Sequence, residues 1–143
     1  MAGAPPLERF EHWTLVTSDV ERSRRFYTEV LGASVPRREG GPTSVVLADT
    51  VVDLFPAQGD SQPSPGGRGQ HHAYIIKLEE FDPWVEHFRQ HAVPIELSTH
   101  RLHRMSIYVD DPDGYHIEFT VPFSNDEIGR REIEKRGLMP RRT

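Results

Sequence analysis

The chain carries one structural plan twice, and a repeat of this kind limits the fold more than any single motif. Residues 12–32 read HWTLVTSDVERSRRFYTEVLG and residues 71–91 read HHAYIIKLEEFDPWVEHFRQH. Each stretch opens on a histidine in a short β-like run and passes into a helical pattern. In the first, Ser18 or Asp19 is placed to cap the helix. Val20, Phe26, Tyr27, Val30 and Leu31 then fall near helical spacing for one buried face, and Gly32 ends it. In the second, Phe81, Trp84, Val85 and Phe88 mark the buried face. Short strands are expected after the first helix near residues 34–37, 43–47 and 51–55. After the second they are expected near 94–97, 104–109 and 115–121. Asp111-Pro112-Asp113-Gly114 between the last two suits a type I turn. Each half is thus read as β-α-β-β-β.

These boundaries give a single domain over residues 1–143. Module one spans 9–57, a Pro/Gly/Ser linker 58–70 (QGDSQPSPGGRGQ), module two 71–122, and a charged C-terminal helical tail 123–143. The tail reads as a helix on the surface or on a partner, with Arg130, Arg131, Lys135, Arg141 and Arg142 as solvated cations. A chain of 143 residues suffices for one core. Apolar residues at 36% and charged residues at 27% place it among globular chains. The net charge is −5, and Lys and Arg form no stripe, so nucleic acid is not an expected partner. No apolar run suits a membrane helix, and MAGAPPLERF has no secretory pattern, so a cytoplasmic location is expected. Cysteine is absent, so any metal must be held by nitrogen and oxygen.

Strand alternation then sorts the ligand types. In the last strand Tyr115, Ile117, Phe119 and Val121 share one apolar face, leaving His116, Glu118 and Thr120 on the other. His71, Ala73 and Ile75 oppose Tyr74 and Ile76, and His12, Thr14 and Val16 oppose Trp13 and Leu15. His12, His71 and Glu118 therefore all lie away from the helix-packing faces. Two such sheets facing each other would gather two imidazoles and a carboxylate, which a divalent cation would stabilise. That set leaves open coordination positions. It suits Fe(II) in oxygen-using chemistry and Mn(II), Ni(II) or Zn(II) as Lewis acids.

His12-Trp-Thr-Leu with SDVERSRRFYTEVLG, together with HHAYIIK and SIYVDDPDGYHIEF, resembles the vicinal oxygen chelate superfamily over roughly residues 10–121. That group includes glyoxalases, extradiol dioxygenases, fosfomycin-resistance enzymes and bleomycin-binding proteins. The resemblance implies an α+β fold of two β-α-β-β-β modules forming a half-open mixed-sheet barrel around a cavity. It implies one divalent metal, Fe(II) favoured, on His12, His71 and Glu118, a small oxygen-chelating substrate and a homodimer. His71 is preferred over His72 because Ala73 and Tyr74 follow in the family's His-x-Ala-aromatic pattern. Asp53 maps to a fourth ligand position, with a shorter side chain than the usual Glu or Gln. Tyr108, ten positions before Glu118, resembles the substrate-binding tyrosine of extradiol enzymes. His103 and His100 are further donors in this reading, with His103 placed in a catalytic role.

The favoured reaction is extradiol-like, although no histidine lies between His12 and His71 to act as that family's acid–base residue. The second reading is a Lewis-acid isomerase or fosfomycin-resistance-like enzyme. Thr14, Tyr108 and the C-terminal helix support it. Thr120 in place of a histidine, and only Arg101 and Arg104 as nearby cations, depart from it. The third is a metal-free binding module for a drug-like molecule. His87 and His91, four apart on a helix, are read as solvated, and His116 as an outer neighbour of Glu118 or a surface residue.

Overall fold

A computed structural model describes residues 3–37 and 39–139. Arg141 and Arg142 lie outside them. The chain divides between Pro63 and Ser64, inside the expected linker, into two compact units. One module falls in each.

In the first unit the elements are β1 (His12–Thr17), α1 (Val20–Arg25), β2 (Thr43–Leu47) and β3 (Thr50–Pro56). Asp19 caps α1, accepting the Arg22 N–H at 3.0 Å. Beyond Arg25 the helix widens into a π-turn over Phe26–Val30, with Leu31 N–H donating to the Phe26 carbonyl at 3.2 Å. Gly32, at φ +73°, ends the run. The mixed sheet has the order β1-β3-β2, with β1 parallel and β2 antiparallel to β3. One face, carrying Leu15, Val45, Val52 and Leu54, is buried, as are Tyr27 and Leu31 from the helical segment. The other carries His12, Thr14, Ser44 and Asp53. The expected strand at 34–37 shrinks to a single bridge between Ser34 and Val46. Pro36 has no N–H to continue a ladder. This module is therefore β-α-β-β with one bridged residue where a further strand was expected.

The second unit has the full plan: β4 (His71–Ile75), α2 (Phe81–Gln90), β5 (Glu96–His100), β6 (Arg104–Asp110), β7 (His116–Pro122) and α3 (Asp126–Lys135). Its mixed sheet has the order β4-β7-β6-β5. β5 starts two residues later than expected, because Pro94 cannot donate to the ladder and the strand begins only beyond it. The turn before β7 closes through the Gly114 N–H and the Asp111 carbonyl at 3.0 Å. The buried Asp111 carboxylate also accepts the Asp113 and Tyr115 N–H groups. Phe81 and Phe88 of α2 are buried, and Trp84 stacks near Phe88 and Phe119.

The C-terminal helix lies on the surface of the second unit, with Arg130, Arg131 and Lys135 exposed as expected. Ile133 is fully buried, and a Cβ on Gly129 would stand 2.0 Å from the Leu102 carbonyl oxygen, so α3 seats directly on the β5–β6 turn. The expected linker is also partly ordered, with a Gln58–Ser61 bridge and a short 3₁₀ turn at Gly67–Gly69. Both units are α+β with open mixed sheets. No helix among the described residues is long and apolar enough to cross a membrane.

Candidate metal and substrate site

The polar face of the β4-β7-β6-β5 sheet follows from strand register alone. His71, Ala73 and Ile75 of β4 stand beside His116, Glu118 and Thr120 of β7. Those stand beside Asp110, Tyr108 and Ser106 of β6. Direct neighbours in a sheet share a face, so Glu118 sits between Ala73 and Tyr108 with His71 one pleat away.

Glu118 is 4% exposed, an unusual place for a carboxylate. Its Oε1 accepts from the Ser106 hydroxyl at 2.6 Å, and Ser106 Oγ lies 2.9 Å from Thr120 Oγ1. Its Oε2 lies 3.0 Å from His71 Nε2. The other nitrogen of His71, Nδ1, lies 3.0 Å from the Arg68 carbonyl oxygen. A carbonyl only accepts, so Nδ1 must carry the hydrogen. In neutral His71 this leaves the Nε2 lone pair facing a carboxylate oxygen. Two acceptors at that distance repel unless a positive charge stands with them, either a proton on Nε2 or a cation bound by both. One imidazole nitrogen and one carboxylate oxygen, each steadied from behind, are the donor types a divalent metal takes, and the residues fit such an ion.

Beside His71 lies a cleft of about 100 Å³ lined by Arg68, His71, Glu96, Ser98, Tyr108 and His116. The Tyr108 and His116 rings stack with centroids 4.9 Å apart, and His71 meets both edge-on. His116 Nδ1 pairs with Asp110 at 2.6 Å. Burial pushes the Tyr108 phenol above its ordinary range, and the Glu118 charge and hydrogen bond push it the same way. Tyr108 thus stays a neutral phenol beside the site's carboxylate.

His72 occupies the opposite face, in register with Ile117, and burial lowers its pKa, with the neighbouring His71 adding to the effect. In the first unit the same logic pairs His12 with Asp53. Their Nε2 and Oδ2 lie 3.9 Å apart, Asp53 is buried, and Ser44 Oγ hydrogen-bonds to it. His12 Nδ1 meets Glu11 at 2.7 Å. Ser44 and Ser106 play matching parts, each a hydroxyl from the neighbouring strand held against the site carboxylate. Within either unit, among the described residues, no group of three or more ligating side chains gathers around one point.

His103 is not brought to this cluster. It lies in the turn between β5 and β6, 62% exposed, with Nδ1 3.4 Å from Asp126. His100 ends β5 beside Arg104, near that turn. Tyr108 and Glu118 are direct cross-strand neighbours, whereas His103 precedes the first residue of β6, at the other end of the strand. Sequence reasoning missed Ser106 and Arg68. Ser106 had a usable signal, two residues before Tyr108 on the same strand and so on the same face. Arg68 had none, because it contributes a backbone carbonyl from a segment that reads as linker.

The sequence model of the Glyoxalase/Bleomycin resistance protein/Dioxygenase superfamily matches residues 9–119. Glutathione transferase FosA of Serratia marcescens is 28% identical over 116 residues, covering 80% of this chain and 82% of that protein. Metallothiol transferase FosB of Staphylococcus saprophyticus is 24% identical over 131 residues, covering 90% of this chain and 87% of the relative. The crystal structure of a glyoxalase family protein from Bacillus anthracis superposes with a TM-score of 0.71 at 18% identity, covering 85% of this chain and 100% of that one. This last likeness concerns the fold.

Proposed function

Because the chain belongs to the Glyoxalase/Bleomycin resistance protein/Dioxygenase superfamily, we propose that it is a divalent-metal-dependent enzyme acting on a small molecule that chelates through neighbouring oxygens. The observation that carries this reading is the 3.0 Å approach of His71 Nε2 to the buried Glu118 Oε2, with Nδ1 already committed to the Arg68 carbonyl. The proposed ligands are His71, Glu118 and, by the motif match, His12. Asp53 stands ready as a further oxygen donor beside His12.

A divalent cation there would polarise the substrate's oxygens as a Lewis acid. The chain's own groups do the rest. Ser106 holds the Glu118 carboxylate in orientation. Tyr108 donates its phenolic hydrogen toward substrate oxygen, a role its raised pKa preserves at neutral pH. The stacked His116 ring forms the wall. Thr14, on the same face of β1 as His12, is a candidate substrate hydroxyl contact. His103, at the β5–β6 turn with Asp126 beside its ring, is given no role in this reading.

Within this reading, weight moves from ring cleavage toward Lewis-acid group transfer. Two of the relatives, FosA and FosB, are transferases by name, one of glutathione and one a metallothiol enzyme. The reaction would add a thiol to a metal-chelating electrophile, fosfomycin being the first to test. Extradiol-like chemistry on Fe(II) is the second reading, favoured by the placement of Tyr108 directly across from Glu118. Elemental analysis of freshly purified protein and of His71→Ala tests the metal; near-stoichiometric metal in the first and its loss in the second are expected. Mn(II)-loaded protein is then assayed for thiol consumption with fosfomycin, and Fe(II)-loaded protein for O2 uptake with catechols. Bound metal unchanged by His71→Ala removes His71 from the proposed ligand set, and freshly purified wild type without stoichiometric metal favours a metal-free binding module.

A further inference from the structure

We infer that the Gly66-Gly67-Arg68-Gly69 turn is a positioning device for His71, holding the Arg68 carbonyl on Nδ1 so that Nε2 is kept for a ligand. Only the metal arm of this inference rests on the function proposed above. In the sequence these residues look like the end of a flexible spacer. In the structure Gly66 and Gly67 both adopt left-handed backbone, at φ +67° and +64°. Two consecutive residues there are costly for any side chain but glycine. The Gly67 carbonyl accepts the Gln70 N–H at 3.1 Å, closing the turn. That closure turns the Arg68 carbonyl toward the His71 ring, 3.0 Å from Nδ1.

The turn is anchored at its other side. The Arg68 guanidinium pairs with Glu96 of β5, the cross-strand neighbour of Tyr108. Both partners are substantially exposed, so this pair contributes little to stability by itself. Its geometric effect is to tie the turn to the sheet that carries Tyr108 and Glu118. Without the carbonyl, a partly exposed imidazole at the start of an edge strand would exchange tautomers and rotamers. Glu118 would then meet an N–H or a lone pair by chance. With the carbonyl, only one tautomer is satisfied.

Gly67 is the informative position. A Cβ placed there meets nothing within 4 Å, so a substitution strains the backbone without crowding anything. Gly66 is less clean, because its Cβ would fall 1.9 Å from Gln70 Oε1. Asparagine adopts the left-handed region at lower cost than alanine, so Gly67→Asn and Gly67→Ala form a graded pair.

The test is nitrogen NMR of histidine-labelled, metal-free protein above pH 8, with the His71 signals assigned by their loss in His71→Ala. The same four proteins are titrated with Zn(II). Wild type and Gly67→Asn are expected to hold His71 as the Nδ1–H tautomer. Gly67→Ala should show a tautomer mixture and bind Zn(II) roughly ten- to a hundredfold more weakly. A wild-type His71 carrying its hydrogen on Nε2, or a Gly67→Ala variant with unchanged tautomer, overturns the inference. Should wild type and His71→Ala bind Zn(II) equally, the metal reading of His71 fails, and the tautomer comparison alone decides the positioning role.

Discussion

At the residue scale, the two histidines that open β4 show how one strand position separates opposite fates. His71 faces the polar side beside Glu118, and His72 faces Ile117 on the apolar side. Burial favours neutral His72, so its folded pKa lies below that of the unfolded chain. The unfolded state then binds more protons in the window just below the ordinary histidine value of about 6.5, and stability falls as pH drops through it. Thermal unfolding measured from pH 7.5 to 5 should show this loss in wild type and a shallower slope in His72→Leu. Equal slopes would remove the assignment. Ser106 presents the complementary case. Ser106→Ala deletes the 2.6 Å hydrogen bond to buried Glu118 without creating space for a replacement partner. A loss of about 1–3 kcal/mol in denaturant unfolding is expected.

At the scale of elements, α3 is the piece whose role was hardest to foresee. Its sequence is strongly charged, and a surface or partner-facing helix was the expectation. The structure has it on the surface of the second unit, held there by the fully buried Ile133 and the close approach of Gly129 to Leu102. Arg136, just past its end, bridges Glu132 at 2.9 Å and Asp82 of α2 at 2.9 Å, and lies over the Phe81 ring. Arg136 holds the Glu132 carboxyl below its usual range. Gly129→Ala should lower the melting temperature markedly, because the methyl meets backbone rather than a yielding side chain. Ile133→Ala should cost about 2–5 kcal/mol. If both variants unfold as wild type does, α3 does not pack as described. In the first module, the missing strand traces to Pro36, a residue whose effect is local and visible in sequence once the ladder is considered.

At the scale of the whole chain, the two units repeat the same sheet logic. In each, the first strand lies parallel to the last, beside its carboxylate: His12 with Asp53 across β1–β3, His71 with Glu118 across β4–β7. Each carboxylate is steadied by a serine from the antiparallel neighbour. The proposed metal draws on histidines from both halves, so its effect on stability should depend on both. Saturating Zn(II) at about a hundred times Kd should stabilise wild type by roughly 2.7 kcal/mol. That gain should largely vanish in His12→Ala and in His71→Ala alike. If His12→Ala keeps the full gain, His12 is not a ligand and the pair in the second unit binds without it.

Read alone, the residues determined the repeat, the α+β class, the helix faces and the side of each strand on which His12, His71 and Glu118 would stand. Those follow from periodicity, which is local and needs no knowledge of what packs where. Tertiary structure decided the pairing of Ser106 with Glu118, the seating of α3, the removal of His103 to a hairpin tip and the Arg68 carbonyl behind His71. These depend on register and on backbone atoms contributed by segments distant in sequence. A backbone carbonyl is the same in every residue, so no side-chain pattern can announce where it will be aimed.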